Sequence, residues 1–99
     1  MALVIDPAGD EILALKGITN WRGTRVLEVG CGDGRLTLRL AGFHPEKIIA
    51  SDPDLQSIRT ARKNLPNNYK ERIEYHVGNA EHVKQKANQF DIVVFSWVL

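Results

Sequence analysis

The sequence predicts an α/β fold: a three-layer sandwich around a mostly parallel sheet, with strand order 3-2-1-4. Three observations carry this. Short β-branched runs alternate with stretches of helical spacing along the 99 residues. The connections between runs are long enough to be helical crossovers, as parallel neighbours covered on both faces require. One turn, Gly30-Cys31-Gly32-Asp33-Gly34, is rich in glycine and lies between a run and the helix after it. Right-handed crossovers place the first run centrally, with the second and third on one side. The fourth lies on the other side if the order reverses there, and that reversal is where such sheets bind ligands.

Asp6-Pro7 reads as an N-cap with proline in the first helical position, and Gly17 as a stop, predicting a helix over roughly 7 to 16. After the turn-rich Thr19-Asn20-Trp21-Arg22-Gly23, Arg25-Val26-Leu27-Glu28-Val29 is the first of the four strands. A helix starts near Gly34, with Leu36 and Leu40 one turn apart on its inner face. Lys47-Ile48-Ile49-Ala50-Ser51 is the second strand, ending at Asp52. Leu55, Ile58, Ala61 or Arg62, and Leu65 then repeat at helical spacing until Pro66-Asn67-Asn68. The third strand runs from about Arg72 to Val77, a short polar helix from Asn79 to Ala87, and the fourth strand from Phe90 to Trp97. With no repeat or linker, residues 1–99 read as one domain.

Apolar residues are 43% and charged residues 25%, too apolar for a disordered chain. Thirteen Lys and Arg against twelve Asp and Glu leave +1, which argues against a broad phosphate-facing surface and a nucleic-acid partner. Cys31 alone makes neither an internal disulfide nor a Cys-based zinc cluster. His44, His76 and His82 fall on three elements without ligand spacing, so no metal is expected. No apolar run reaches the roughly 18 residues of a membrane span, and no secretory signal is read at the start. The expectation is a cytoplasmic domain with no membrane partner.

The glycine turn stands after a strand, before a helix and 18 residues ahead of Asp52, a strand-ending acid. Its glycines let the chain bend sharply and bring backbone close to a ligand. A dinucleotide fingerprint would need a third glycine at 35, where Arg35 stands, and no Gly-Lys-Ser/Thr phosphate loop exists. Glu28 and Asp33 would repel a diphosphate and suit a ligand with positive charge. Asp52 is placed to accept from two ribose hydroxyls. The loop therefore wants a nucleoside without phosphates and with a cationic tail.

Val26-Leu27-Glu28-Val29-Gly30-Cys31-Gly32-Asp33-Gly34 resembles the first motif of class I, Rossmann-like S-adenosylmethionine-dependent methyltransferases. The resemblance covers nearly the whole chain. It implies that Gly30 and Gly32 pass under the methionine and ribose of the cofactor, with Cys31 between them. It sets Glu28 near the methionine amino group, Asp52 on the ribose and Pro53 against the adenine. Gly78-Asn79-Ala80 matches the motif after the third strand. There the Asn79 amide oxygen replaces the family's usual aspartate in accepting from the adenine amino group, and the Ala80 amide meets a ring nitrogen. Ser96 and Trp97 would face the surroundings of the methyl group.

The resemblance also bears on the acceptor. Strand four carries neither the Asn/Asp-Pro-Pro-aromatic run of amino methylation of adenine or glutamine nor the Pro-Cys pair of cytosine enzymes. Ser96 stands where a metal-dependent catechol-type enzyme has an acid. A small-molecule acceptor is expected, and no base is identifiable. The family sheet has seven strands and this one four, which makes the chain the N-terminal, cofactor-binding part of the fold. The apolar fourth strand would then be an open edge, to be covered by a second copy in a homodimer or by the missing C-terminal half. A non-catalytic assembly module and a dinucleotide-binding oxidoreductase domain are the alternatives, the latter disfavoured by Arg35 and the acidic loop.

Structural roles stand beside these. Asp52 or Asp54 could cap the helix opening at Pro53, and Asn79 its own short helix. Cys31 reads as small-residue packing, Trp21 and Trp97 as packing aromatics, and Arg59, Arg62 and Lys63 as a solvated helix face. Glu28 has no such simple account, because an unpaired buried carboxylate is costly.

Overall fold

The computed structural model describes residues 3–5, 16–79 and 87–96. Among them five strands form one sheet: β1 (Leu3–Ile5), β2 (Arg25–Val29), β3 (Lys47–Asp52), β4 (Ile73–Val77) and β5 (Ile92–Phe95). Two α-helices follow β2 and β3: α1 (Arg35–Ala41) and α2 (Leu55–Lys63). The spatial order is β1-β5-β2-β3-β4, with every pairing parallel. The four strands read from the sequence keep their expected order, and it reverses beside β2.

The fifth strand was not expected. Leu3, Val4 and Ile5 pair in register with Ile92, Val93 and Val94. The outer flank of β5 is thus filled by the chain's own residues. This corrects the expectation of an open apolar edge there and removes the ground for pairing β5 with a second copy. Most of the helix expected over 7 to 16 lies outside the described residues, and a helical turn over 16–18 carries on through Gly17 rather than stopping at it. Most of the polar helix expected after Asn79, with Ala80 and His82, is also outside them, as is Trp97.

The two-residue period of the strands sorts the core onto two faces. Val26, Ile48, Ala50, Ile73, Tyr75, Ile92 and Val94 share one cluster with Leu40 and Ala41 of α1 and Ile58 and Ala61 of α2. Leu27, Val29, Phe90 and Val93 form the other, with Ile49 and Phe95 packed against it. The inner stripe of α1 is Thr37, Leu40 and Ala41, with Leu36 only partly buried, so the helix is turned about one position from the Leu36–Leu40 reading. In α2 Ile58 and Ala61 are buried as expected, but Leu55 is 48% exposed. It opens the helix at the rim of the sheet, three positions beyond the end of β3.

Asp54 is the N-cap of α2. Its Oδ1 accepts from the Gln56 N–H at 3.2 Å and its Oδ2 from the Ser57 hydroxyl at 2.7 Å. These donors hold its carboxyl below the usual range. Asp52 is thereby released from capping. Arg62, expected on a solvated face, donates from Nη2 to the Tyr75 carbonyl of β4 at 2.6 Å. Trp21 is a packing residue as expected, buried and tilted against Phe43 with ring centroids 5.3 Å apart.

Candidate functional site

Beyond Val29 the chain turns through Gly30-Cys31-Gly32-Asp33-Gly34 into α1, and neighbouring elements hold the turn. The Gly30 and Cys31 N–H groups both donate to the Ser51 carbonyl, at 2.8 and 3.0 Å. The Gly32 N–H donates to Asp52 Oδ2 at 2.9 Å, while Asp52 Oδ1 accepts from the Asp54 N–H at 2.9 Å. Gly32 has φ 56 and Gly34 φ 90, a region costly for any residue with a Cβ. The two glycines differ in what lies beside them. A Cβ on Gly34 would sit 2.5 Å from the Tyr75 hydroxyl oxygen, whereas one on Gly32 would meet nothing within 4 Å. Gly34 is required by packing beneath the loop; Gly32 leaves room beside it.

The strand register gathers the expected residues at one end of the sheet. Val29 pairs with Ser51 and with Phe95, and Asp52 with Val77. Gly30, Cys31 and Gly32 after β2, Asp52 and Pro53 at the end of β3, Asn79 after β4 and Ser96 after β5 therefore share the C-terminal rim. The Gly78 N–H donates to the Asp52 carbonyl at 3.1 Å and ties the segment before Asn79 to the acid. Pro53 and Asn79 are exposed, and so are Leu55 and Val77, each at 48%. Apolar surface thus flanks Asp52 at the rim. The Ser96 N–H donates to the Val29 carbonyl at 2.8 Å, holding the exit of β5 against the start of the loop.

Glu28 lies on β2 just before the turn, with partners from two other elements. It is 0% exposed, and each carboxylate oxygen holds a hydroxyl: Thr37 Oγ1 donates to Oε1 at 2.5 Å and Ser96 Oγ to Oε2 at 2.6 Å. Burial raises its pKa, and the two hydroxyl bonds oppose that rise. In this structure the carboxylate is thus turned to the protein's own hydroxyls beneath the turn. The Ser96 hydroxyl is turned inward onto it. Of the two acids in the loop argument, Asp33 alone reaches solvent, and it pairs with the exposed Arg35 at 3.2 Å.

Burial, then the carboxylates of Glu28 and Asp52, push the Cys31 thiol upward, which suits packing and not nucleophilic work. Burial likewise lifts Tyr75 to about 12. The Tyr75 hydroxyl lies against Gly34 at the end of the turn. Thr37 and Tyr75 are the site residues that the sequence reading missed. The available signal was a hydroxyl inside each apolar stripe, one turn before Leu40 and two residues after Ile73. Among the described residues, no three or more His, Cys, Asp or Glu side chains gather to hold a metal, and no helix is long and apolar enough to cross a membrane.

A parallel sheet with its order reversed beside a glycine turn, and an acid ending the neighbouring strand, defines a nucleotide-cofactor domain of the Rossmann-like class. Within that class the chain belongs to the methyltransferase domain family, whose profile matches residues 26–99. The human mitochondrial ubiquinone biosynthesis O-methyltransferase is 40% identical over 80 residues, covering 78% of this chain and 21% of that protein. The malonyl-[acyl-carrier protein] O-methyltransferase of Geobacter sulfurreducens is 34% identical over 94 residues, covering 90% of this chain and 34% of that protein. A Haemonchus contortus phosphoethanolamine N-methyltransferase, solved with phosphoethanolamine and S-adenosylhomocysteine, shares the fold at TM-score 0.71 and 24% identity, covering 86% of this chain and 18% of that one. The chain spans less than half the length of the curated relatives it matches. S-adenosylmethionine is the cofactor this membership assigns.

Proposed function

We propose that this chain is the cofactor-holding part of an S-adenosylmethionine-dependent methyltransferase that acts on a small molecule in the cytoplasm. The observation that carries the reading is the joint of Asp52 and the glycine turn: an acid at the end of β3 anchors Gly32 while the space beside Gly32 is open. Gly30, Cys31 and Gly32 would lie along the methionine and ribose, and Asp52 would accept from the ribose hydroxyls. Pro53, with the exposed Leu55 and Val77, offers apolar surface for the adenine. The Asn79 amide oxygen and the Ala80 amide would meet its polar edge. Ser96, at the exit of β5, would border the transfer site. Glu28 supports this arrangement from below.

When bound, the cofactor supplies a methyl group already activated on a sulfonium. The work left to the protein is alignment and exclusion of water, and alignment alone can lower a barrier by about 7–11 kcal/mol. A base is needed only where the acceptor must lose a proton. The printed names of two of the relatives, O-methyltransferases both, favour an oxygen acceptor.

Calorimetry with S-adenosylhomocysteine, S-adenosylmethionine and NAD tests the reading. The first two should bind and NAD should not. Asp52→Ala should weaken S-adenosylhomocysteine at least tenfold, about 1.4 kcal/mol. Binding of NAD alone, or an Asp52→Ala chain that binds as the wild type does, refutes it.

A further inference from the structure

Beneath the glycine turn lies a cluster of polar side chains drawn from four elements. Ser96 after β5 donates to Glu28 on β2 at 2.6 Å, Thr37 on α1 donates to the same carboxylate at 2.5 Å, and the Tyr75 hydroxyl of β4 stands against Gly34 on the same face of the sheet. Glu28 and Thr37 are fully buried and Tyr75 is 4% exposed. Their neighbours on this face, Val26, Ala50, Ala61 and Val94, are apolar. A carboxylate in such surroundings costs stability even when well paired, and apolar packing of similar volume is often as stable or more so. What a saturated polar network supplies in return is one defined arrangement of the groups it joins.

The groups joined here are those that fix the loop. The Tyr75 hydroxyl oxygen lies 2.5 Å from where a Gly34 Cβ would be, so it backs the last residue of the turn directly. Ser96 is held at both ends: its N–H binds the Val29 carbonyl, immediately before Gly30, and its hydroxyl binds Glu28. Thr37 sits one turn into α1 and ties that helix to Glu28. The cluster therefore connects the two ends of the glycine turn with the exit of β5 from underneath, while Ser51 and Asp52 hold it from the β3 side.

We propose that Glu28, Thr37 and Tyr75 are positioning residues that touch no ligand and, together with the Ser96 hydroxyl, hold the glycine turn in its ligand-ready form. The inference rests on the cofactor reading above. It makes affinity depend on the hydroxyl at position 37 and not on the packing volume there. Thr37→Val keeps the volume and removes the hydroxyl; Thr37→Ser keeps the hydroxyl and removes a methyl.

The test is S-adenosylhomocysteine affinity by calorimetry, with urea unfolding of each variant alongside. Thr37→Val should bind about tenfold more weakly, and Thr37→Ser within about twofold of the wild type despite its own loss of stability. A Thr37→Val chain with wild-type affinity, or a Thr37→Ser chain as weak as Thr37→Val, overturns the proposal. If Thr37→Val does not fold, Tyr75→Phe carries the same contrast: about threefold weaker binding is expected, and unchanged binding overturns the proposal. A wild-type chain that captures no S-adenosylhomocysteine overturns the cofactor reading and this proposal with it. Wild-type capture with unaffected variants overturns this proposal alone.

Discussion

Two strand-to-helix junctions stand side by side at the rim of the sheet, built from opposite materials. After β3, the chain supplies its own cap: Asp54 accepts from Gln56 and Ser57, and α2 starts with its first donors met by a side chain. After β2, the N-cap position of α1 is Gly34, which has no side chain to cap with, and no acid stands in the first turn of the helix. Within the turn Asp33 accepts from the Arg35 N–H at 3.4 Å and the Cys31 carbonyl from the Gly34 N–H at 3.1 Å, but Ser51, Asp52 and Tyr75, all from other elements, do most to shape it. The difference separates a junction capped by its own side chain from one held largely by its neighbours. Support borrowed from below and from one side leaves the space beside Gly32 clear of the described residues.

The largest effect that would sharpen this contrast is at Gly34. Gly34→Ala brings a left-handed backbone cost of about 1–2 kcal/mol and overpacking against Tyr75 of about 1–3 kcal/mol. Urea unfolding should show a loss of about 2–5 kcal/mol from the two together. Gly32→Ala, with open space beside it, should lose only the backbone share while its capture of S-adenosylhomocysteine falls. Equal losses of stability at the two positions would erase the distinction between packing below and room beside.

A smaller effect concerns the buried acid. The Glu28 pKa is raised above its ordinary 4.5, so the unfolded chain gives up this proton first as pH rises. Folding then loses stability from about pH 4.5 upward until the folded state also ionises. Glu28→Gln removes that titration, and its stability should run flatter than the wild type between pH 4.5 and neutrality. Parallel pH profiles would show that burial at this position carries no such cost.

The smallest effect belongs to the self-capped junction. Asp54→Ala should lower the thermal midpoint and leave S-adenosylhomocysteine affinity within about twofold. The Asp54 pKa is lowered in the folded state, so its stabilisation holds above the ordinary value of 3.8 and fades as pH falls through the folded value. The two melting curves should therefore converge in acid. A marked loss of affinity in Asp54→Ala would mean that the second junction also serves the ligand.

The strand order, the glycine turn and Asp52 were legible because each rests on local chemistry: β-branched runs, turn residues and an acid at a strand end. The phase of α1 was not. Leucines at 36, 38 and 40 surround a short helix, and only the tertiary demand of Glu28 for a donor turns Thr37 inward. For the same reason the partners of Glu28 were not legible: its position on the strand is local, but they come from α1 and from beyond β5. Leu3-Val4-Ile5 left no readable signal, being three residues long and defined by a partner far along the chain.

That pairing has a consequence for biosynthesis. Leu3 and Ile92 are 89 positions apart (92 − 3). Doubling a loop adds only about 0.6 kcal/mol to closure, so distance of this kind taxes timing far more than equilibrium. At ribosomal speeds of about 5–20 residues per second, β1 waits roughly 5–20 s for its mate. A nascent chain arrested before Ile92 lacks the strand on which Leu3, Val4 and Ile5 dock.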